Sequence, residues 1–198
     1  GSYTVYMNED GLLNRLKGSR AKTKFMFGNV GEPARVEFEV NGVPVSAPTD
    51  AAMFPDVGDT LIPPKFLGTT LTLDTFTPII SSMEIDIDNT LAARADATDA
   101  NGYLSVLISD RRITGSIDPE MVAVSTYDWN GKWFNDTLAS FNCVVDNLGA
   151  GQTIEFFGPK IQVTGLSDDD RDGISVAGAE FLLTKGSFGD DEFRIMFY

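Results

Sequence analysis

The fold is decided by the stretch Ile79–Pro119, which reads IISSMEIDIDNTLAARADATDANGYLSVLISDRRITGSIDP. Across Met83–Asp88 apolar and acidic residues alternate strictly, and a period of two is typical of a half-buried strand. Two further strand-like runs follow at Tyr103–Ser109 and Ile113–Ile117. The stretch therefore predicts successive strands joined by turns.

The middle of this stretch, Asn89–Gly102, has a different composition. It lacks periodicity, is rich in Ala, Asp and Thr, and ends on Asn101-Gly102, a common turn pair. We predict a long polar arm that projects from the paired strands. No residue pattern in the arm indicates catalytic chemistry.

The first third of the chain continues the strand-and-turn pattern. Asp10-Gly11 predicts a hairpin, because a type I′ turn requires positive φ at both central residues. Four short antiparallel strands are predicted here: Tyr3–Met7, Leu12–Leu16, Lys22–Phe27 and Arg35–Val40. In the last of them, alternation is expected to direct three apolar side chains towards the core: Val36, Phe38 and Val40.

A proline-rich connection and a second set of strands follow. Five prolines fall within residues 44–64. Since proline removes an amide donor, we predict an ordered loop over the sheet, with an interdomain linker as the alternative. Tight bends are predicted at Gly149–Gly151 and Asp172-Gly173. The later strands are predicted at Thr69–Leu73, Leu138–Val145, Thr153–Val163, Ile174–Leu183 and Glu192–Phe197.

One helix is predicted, and it starts at Asp118-Pro119-Glu120. Aspartate can cap free amides, proline suits the first helical position, and glutamate favours the positive end of the helix dipole. The helix is expected to run for about ten residues to Trp129, where Asn130-Gly131 would stop it. We expect Trp129, Trp133 and Phe134 to pack it against the sheet, with an aromatic ligand site as the alternative.

Together these patterns predict a mainly β fold, an antiparallel β-sandwich or barrel of about ten strands with one short flanking α-helix and long loops. The 198 residues, of which 42% are hydrophobic, suffice for a core, and we predict a single domain over residues 1–198. Gly1-Ser2 resembles the scar of an expression tag.

Composition argues against several classes of function. The formal charge is −14 with no basic cluster, which disfavours specific DNA binding. Histidine, the commonest general base and metal ligand, is missing from the sequence, so we predict no enzymatic activity and no cofactor. The single cysteine, Cys143, is predicted to be a small buried hydrophobe rather than a reactive thiol.

One acidic segment partly matches a calcium loop. Asp168, Asp170 and Asp172, followed by Gly173, repeat the first half of an EF-hand loop. The twelfth position is Ala179 instead of glutamate, so a solvated turn is the favoured interpretation and no metal site is predicted. The alternative is a calcium-dependent carbohydrate- or receptor-binding β-sandwich.

Five segments share a succession of turn glycines, prolines and strand patterns. They are LKGSRAKTKFMFGNVGEPARVEFEVNGVPVSAPTDA (Leu16–Ala51), Pro63-Pro64 with Leu71–Leu73, MEIDIDNTLAARADATDANGYLSVLISDRRITGSIDPE (Met83–Glu120), DDDRDGISVAGAEFLL (Asp168–Leu183) and DDEFRIMF (Asp190–Phe197). Together they cover most of the chain. In this order they resemble the tail tube (major tail) proteins of long-tailed bacteriophages.

The resemblance implies a structural virion protein rather than an enzyme. Subunits of this family are β-sandwiches with a flanking helix that assemble into rings, usually hexameric and in some phages trimeric. Stacked rings form the tube through which DNA leaves the capsid. The implied partners are other copies of the chain and other tail proteins, with DNA passing through the lumen without specific binding and with no membrane. The implied location is the tail of a phage or prophage virion, after synthesis in the bacterial cytoplasm.

Two hypotheses join this resemblance to particular residues. A long polar arm is disfavoured entropically unless a neighbour orders it. We therefore expect contacts between subunits from Asn89, Arg94, Asp96, Asp99 and Asn101. The acidic excess is expected to line part of the lumen, so that the DNA polyanion slides through without sticking.

Overall fold

The computed structural model shows a mainly β protein and describes residues 1–52, 63–146 and 153–198. Within these ranges the chain forms eleven strands and one helix. The strands are β1 (Tyr3–Glu9), β2 (Leu12–Phe27), β3 (Arg35–Pro44), β4 (Thr49–Asp50), β5 (Thr70–Leu73), β6 (Met83–Ala95), β7 (Tyr103–Ile117), β8 (Ala139–Val145), β9 (Ile154–Arg171), β10 (Ile174–Thr184) and β11 (Arg194–Phe197), and the helix is α1 (Trp129–Phe134).

The strands form one antiparallel sheet. Eight of them follow in the order β1-β2-β6-β7-β10-β9-β8-β5, while β3 and β4 pair with β2, and β11 pairs with β9. Among the described strands the sheet does not close into a barrel. The predicted mainly β, antiparallel fold with a single short helix is confirmed.

The chain divides into two compact units. Unit 1 comprises Gly1–Thr23, Glu37–Leu61 and Asp88–Arg111, and unit 2 comprises Lys24–Val36, Ile62–Ile87 and Arg112–Tyr198. Four strands, β2, β3, β6 and β7, contribute residues to both units. The sequence pattern does not mark this division in β2 and β3, where the strand signal runs through the boundaries after residues 23 and 36 without a change of composition.

Unit 2 contains the hydrophobic core. Every second residue of β8 is buried, from Ala139 through Phe141 and Cys143 to Val145. The ring of Phe141 packs against that of Phe181, with 5.4 Å between the ring centroids. Burial raises the pKa of the Cys143 thiol to about 12. The prediction that this cysteine is a small buried hydrophobe is confirmed.

The first hairpin forms as predicted, but the strand that follows it is longer than expected. Asp10 and Gly11 have φ values of 49° and 85°, as the predicted turn requires. The prediction of separate strands at Leu12–Leu16 and Lys22–Phe27 is wrong, because both belong to the 16-residue β2. Gly18, with φ of 61°, lies where the register with β1 shifts. Such a bulge interrupts the side-chain alternation while the strand continues.

The strand β3 forms where predicted, but its apolar face is not buried. Val36, Phe38 and Val40 are all exposed, Phe38 to 65%. Every residue from 35 to 41 is exposed. The predicted inward orientation is therefore wrong, since alternation indicates which side chains share a face and not whether the chain covers that face.

The predicted helix start at Asp118 is wrong. The helix α1 begins eleven residues later, at Trp129, with Asp128 as its N-cap. The Asp118 carboxylate instead accepts hydrogen bonds from the amides of Ser81 and Ser82, 37 and 36 residues earlier in the chain. Amides distant in the sequence thus donate to the carboxylate that the local pattern predicts to be a helix N-cap.

The helix α1 is short, and its aromatic side chains are only partly buried. Trp129 is buried, as predicted, while Trp133 is half exposed and Phe134 is 86% exposed. The prediction that Phe134 packs against the sheet is wrong, because five residues along a helix turn the side chain by about 140° away from the face of Trp129. Asn130-Gly131, the predicted stop, lies inside the helix.

The proline-rich connection is irregular, as predicted, in the part that the structure describes. Over residues 45–52 it is interrupted by the two-residue strand β4, which pairs with β2. Residues 53–62, Pro55 among them, lie outside the described residues, as does the predicted bend at Gly149–Gly151. The predicted turn at Asp172-Gly173 forms, with φ values of 53° and 87°.

Candidate assembly site

The segment predicted as a projecting arm is a β-hairpin in unit 1. The strand β6 continues to Ala95 and β7 begins at Tyr103, which leaves a turn of residues 96–102. The prediction of an irregular arm is therefore wrong for residues 89–95. Residues 92–95 are exposed, and a strand with no covered face need not alternate in sequence.

The turn at the end of this hairpin is closed by its own hydrogen bonds. The Asp96 amide donates to the Gly102 carbonyl at 2.9 Å, and the Gly102 amide donates to the Asp99 carbonyl at 2.9 Å. The Asp96 carboxylate accepts from the Thr98 hydroxyl at 2.6 Å and from the Thr98 amide at 2.9 Å, and these bonds hold its pKa below the ordinary value. The turn is ordered within one subunit, which corrects the expectation that a neighbour orders it.

Asp99 ties the turn to β2. Its Oδ1 accepts from the Asn101 amide at 2.9 Å, and its Oδ2 lies 3.0 Å from Lys17 Nζ. The hydrogen bond from the Asn101 amide lowers the pKa of the Asp99 carboxyl most, and the hydrogen bond from Lys17 lowers it further. An aspartate that accepts from an amide two residues on fixes the backbone between them. The hairpin therefore ends in a polar surface of defined shape.

Of the five residues predicted to contact other subunits, one does not belong to this surface. Asn89 is 8% exposed, and its Nδ2 donates to the Ala21 carbonyl at 2.8 Å. It connects β6 to β2 within unit 1, so its prediction as a contact residue is wrong. The other four lie at or beside the turn: Arg94, Asp96, Asp99 and Asn101.

Asp99→Ala is expected to loosen the turn without unfolding the chain. The change removes both the acceptor for the Asn101 amide and the partner of Lys17. Amide hydrogen exchange over residues 96–102 should quicken several-fold while the Tm stays the same. Asp99→Asn is the control, because asparagine can still accept from that amide. Equal exchange in Asp99→Ala and the unchanged protein would show that the aspartate does not order the turn.

The described residues of unit 1 form almost no hydrophobic core of their own. Among the described residues, 22 of the 24 buried apolar side chains lie in unit 2, and Val43 and Val106 are the two in unit 1. Soluble monomers rarely expose large contiguous apolar patches. Eleven large apolar side chains of unit 1 are exposed, among them Tyr3, Tyr6, Phe38, Tyr103, Leu107 and Ile108.

An apolar groove of about 480 Å³ lies on the surface of unit 1. The strand β1 contributes Tyr3 and Val5, β3 contributes Phe38 and Val40, and β7 contributes Ile108. Residues 19–21 and 23 of β2 also line it, so residues from four strands meet in one place. Phe38 and Val40, which alternation in β3 predicts to be buried, are exposed in this groove.

Among the described strands, three strands of unit 1 pair with β2 alone: β1, β3 and the two-residue β4. The two longer ones, β1 and β3, each have an edge without a described strand partner. Free backbone amides and carbonyls along such edges can pair with another chain. Glu9 on β1 and Glu37 and Glu39 on β3 place charges beside these edges, a common protection against indiscriminate pairing.

Unit 1 also contains a basic run that the prediction of no basic cluster misses. Two of its members are in ion pairs, Lys17 with Asp99 at 3.0 Å and Lys22 with Asp88 at 2.9 Å. Carboxylates of the same unit therefore compensate part of its charge. The available signal is the spacing in sequence, four basic residues within eight positions of β2: Arg15, Lys17, Arg20 and Lys22.

The three aspartates of the partial calcium motif do not converge on one point. Asp168 and Asp170 lie on the extended strand β9, and Asp172 lies in the turn that follows. Alternate residues of a strand stand about 6.6 Å apart, whereas the ligands of an EF-hand loop curl around the ion. The described residues contain no group of three or more His, Cys, Asp or Glu side chains placed to hold a metal ion.

Comparison with known proteins assigns the chain to no family. No protein-family model matches it, and no curated protein gives a match. No helix in the described parts of the chain is long and apolar enough to cross a membrane. In unit 1 the described residues form an apolar groove, two strand edges without a described strand partner and a hydrogen-bonded hairpin turn, and such features are suited to binding another polypeptide chain.

Proposed function

We propose that the chain is a structural subunit that assembles through unit 1 into rings, and that the rings stack into a tube. The tube is the tail tube of a long-tailed phage, with DNA passing along its lumen. Six copies in a ring is the proposed form, and three is the alternative. In this proposal the chain is not an enzyme, and its partners are other copies of itself and other proteins of the virion tail.

The observation that carries the proposal is the uncovered apolar surface of unit 1. Fully burying a large apolar side chain is worth about 1.5–3 kcal/mol. Neighbouring residues of a strand point to opposite faces, so one contact can cover only some of the eleven exposed side chains. Burying several of them in an assembly favours association, against a cost of about 4–15 kcal/mol in lost freedom.

The edges of β1 and β3 explain why we propose another copy of the chain as the binding partner. Each copy can contact two neighbours, one through β1 and one through β3. A contact between two different surfaces is heterologous, and it repeats until the ring closes. Because β1 and β3 both carry glutamate, a contact between the two edges has to keep Glu9 of one copy away from Glu37 and Glu39 of the next. This constraint on register disfavours indiscriminate aggregation.

The hairpin tip and the acidic charge have separate roles in the proposal. The tip, with Arg94, Asp96, Asp99 and Asn101, contacts a neighbouring subunit or the next ring through polar groups. The formal charge of unit 1 is −5 and that of unit 2 is −9, which together make the −14 of the chain. Both units are acidic, so either one would repel DNA from the wall of the lumen.

Negative-stain electron microscopy of the purified protein tests the proposal. The protein is expected to form rings or tubes of regular bore as its concentration rises. A variant in which an Asn-Gly turn replaces residues 96–102 should fold, as judged by circular dichroism, but should form rings or stacks poorly. A chain that stays monomeric at every concentration would remove the proposal. Normal tubes from the shortened variant would remove the role of the tip alone.

Calorimetry distinguishes the alternative of a calcium-dependent carbohydrate- or receptor-binding module. Assembly of the proposed kind requires neither calcium nor a glycan. Titration with calcium and with a glycan panel is therefore expected to give no heat of binding. Glycan binding that depends on calcium would favour the alternative, to which the extended positions of Asp168 and Asp170 lend no support.

A further inference from the structure

The turn between β1 and β2, residues 7–12, presents apolar side chains beside carboxylates. Met7 and Leu12 are exposed, and Glu9 lies directly opposite Leu12 in the register of the two strands. Because alternate residues of a strand and directly opposite residues share a face, Met7, Glu9 and Leu12 stand on one face of the hairpin. Glu9 and Asp10 are exposed, and neither forms a hydrogen bond or an ion pair through its carboxylate in the described parts of the chain.

This turn has a fixed shape within the single chain. The Asn8 side chain accepts from the Gly11 amide at 3.2 Å and donates to the Ala52 carbonyl at 2.9 Å. The Ala51 amide donates to the Gly11 carbonyl at 2.8 Å. Because these bonds hold the backbone before any contact forms, docking the turn would cost little conformational entropy.

The groove of unit 1 combines an apolar lining with a guanidinium group. Phe38, Val40 and Ile108 line it together with Arg20, which is half-buried. Arg20 Nη1 donates to the Ser19 carbonyl at 3.2 Å, and Arg20 forms no ion pair with any carboxylate that the structure describes. A guanidinium has five N–H donors, so Arg20 can still bind a carboxylate that enters the groove.

We infer that the β1–β2 turn of one copy docks in the groove of the next copy, with Glu9 facing Arg20. The inference rests on the proposed self-assembly and names one of its contacts. Charge favours the pairing, because copies with a formal charge of −14 repel one another and Arg20 offers a cation to an incoming carboxylate. The groove, of about 480 Å³, has the size of a pocket for a drug-sized ligand, about 300–1,000 Å³, so it can hold both Met7 and Leu12.

The charges of β3 are compatible with this contact. Phe38 and Val40 line the groove, so Glu37 and Glu39 stand on the opposite face of β3. The strand therefore separates them from Glu9 of the docked copy. The turn and the groove are different surfaces of unit 1, so the contact can repeat from copy to copy.

Charge reversal tests the pairing. Glu9→Arg and Arg20→Glu should each weaken self-association about tenfold or more in analytical ultracentrifugation, because each places like charges opposite one another. The double variant has opposite charges at the contact again and should recover most of the lost affinity, which separates lost pairing from lost folding. Asp168→Arg is the matched control, because it makes the same change of charge at an exposed carboxylate of unit 2. This control should associate at least as strongly as the unchanged protein.

Disulfide trapping locates the contact. A mixture of Leu12→Cys and Val40→Cys copies should form a covalent heterodimer on mild oxidation, while Val124→Cys with Val40→Cys should not. The native Cys143 is buried and does not compete. Single reversals that associate normally without a trapped heterodimer, or a double variant as weak as either single one, overturn the inference and leave the proposed function standing. An unchanged protein that never associates overturns the proposed function itself.

Discussion

Phe38→Lys is expected to prevent ring formation while leaving the subunit folded. Phe38 is 65% exposed on β3 in the single chain. Its replacement should therefore change the free energy of unfolding by less than about 0.5 kcal/mol. In an assembled groove the same ring would be buried, and its loss costs about 1.5–3 kcal/mol per interface, or about 10–100-fold in affinity. The desolvation of the lysine charge adds to that loss.

Sedimentation velocity at matched concentrations measures this effect, and thermal unfolding verifies that the subunit is intact. Val124→Lys is the control, since Val124 is 67% exposed in unit 2 and lies outside the groove and the two free edges. Rings formed by Phe38→Lys at the normal concentration would argue against the groove as the assembly surface. An equal loss with Val124→Lys would point to a general effect of added charge.

Alternation identifies strands correctly where unit 2 covers one of their faces. In β8 every second residue is buried, and the predicted and observed bounds differ by one residue. In β6, Met83 and Ile85 are buried at the positions that alternation selects. Local sequence is informative in these strands because successive side chains point to opposite faces, of which one is covered and the other is not.

The same signal fails where both faces of a strand are exposed. The strand β9 runs to Arg171, eight residues past its predicted end at Val163, and residues 167–170 are exposed. Backbone pairing with β10 holds this half of the strand. Pairing of amides and carbonyls depends little on side-chain polarity, so an acidic run can be a strand without showing it in the sequence.

The turn of the candidate site can be predicted from the sequence, but the groove cannot. Asp96 and Asp99 precede Thr98 and Asn101 by two positions, a spacing that is typical of aspartate turns and visible in the sequence. The groove brings together residues from strands distant in the chain, such as Tyr3 and Phe38. Alternation predicts that Phe38 is buried, but in the single chain its side chain is exposed to solvent. That mismatch is what a subunit designed for assembly would show, and it supports the proposed function.

Asp118→Ala is expected to destabilise unit 2 by about 2–3 kcal/mol. Its Oδ1 accepts from the Ser81 and Ser82 amides at 2.8 and 2.7 Å, and its Oδ2 accepts from Arg171 Nη1 at 3.0 Å and from the Ser81 hydroxyl. Removing one partner of a fully buried ion pair costs about 3–5 kcal/mol, and the half-buried position of Asp118 reduces this cost. Urea unfolding followed by fluorescence measures the change.

The pH dependence of this loss separates the charge of Asp118 from its hydrogen bonds. Burial alone raises the pKa of Asp118, but the bonds from Ser81 and Ser82 and the Arg171 charge together lower it below the ordinary value. A carboxylate of this kind stabilises the fold fully above its unfolded-state pKa, about 4, and the stabilisation is lost as the pH falls through the lower folded-state pKa.

Asp118→Asn retains an acceptor for both amides but carries no charge. The unchanged protein should exceed it in stability by a constant amount between about pH 7 and pH 5, and the difference should shrink below about pH 4. Asp168→Asn, at an exposed carboxylate of β9, is the control and should show no such trend. A difference that grew on acidification would mean that unit 2 stabilises protonated Asp118. The geometry opposes that outcome, because two amides, a hydroxyl and a guanidinium surround the carboxylate, and all four donate to it.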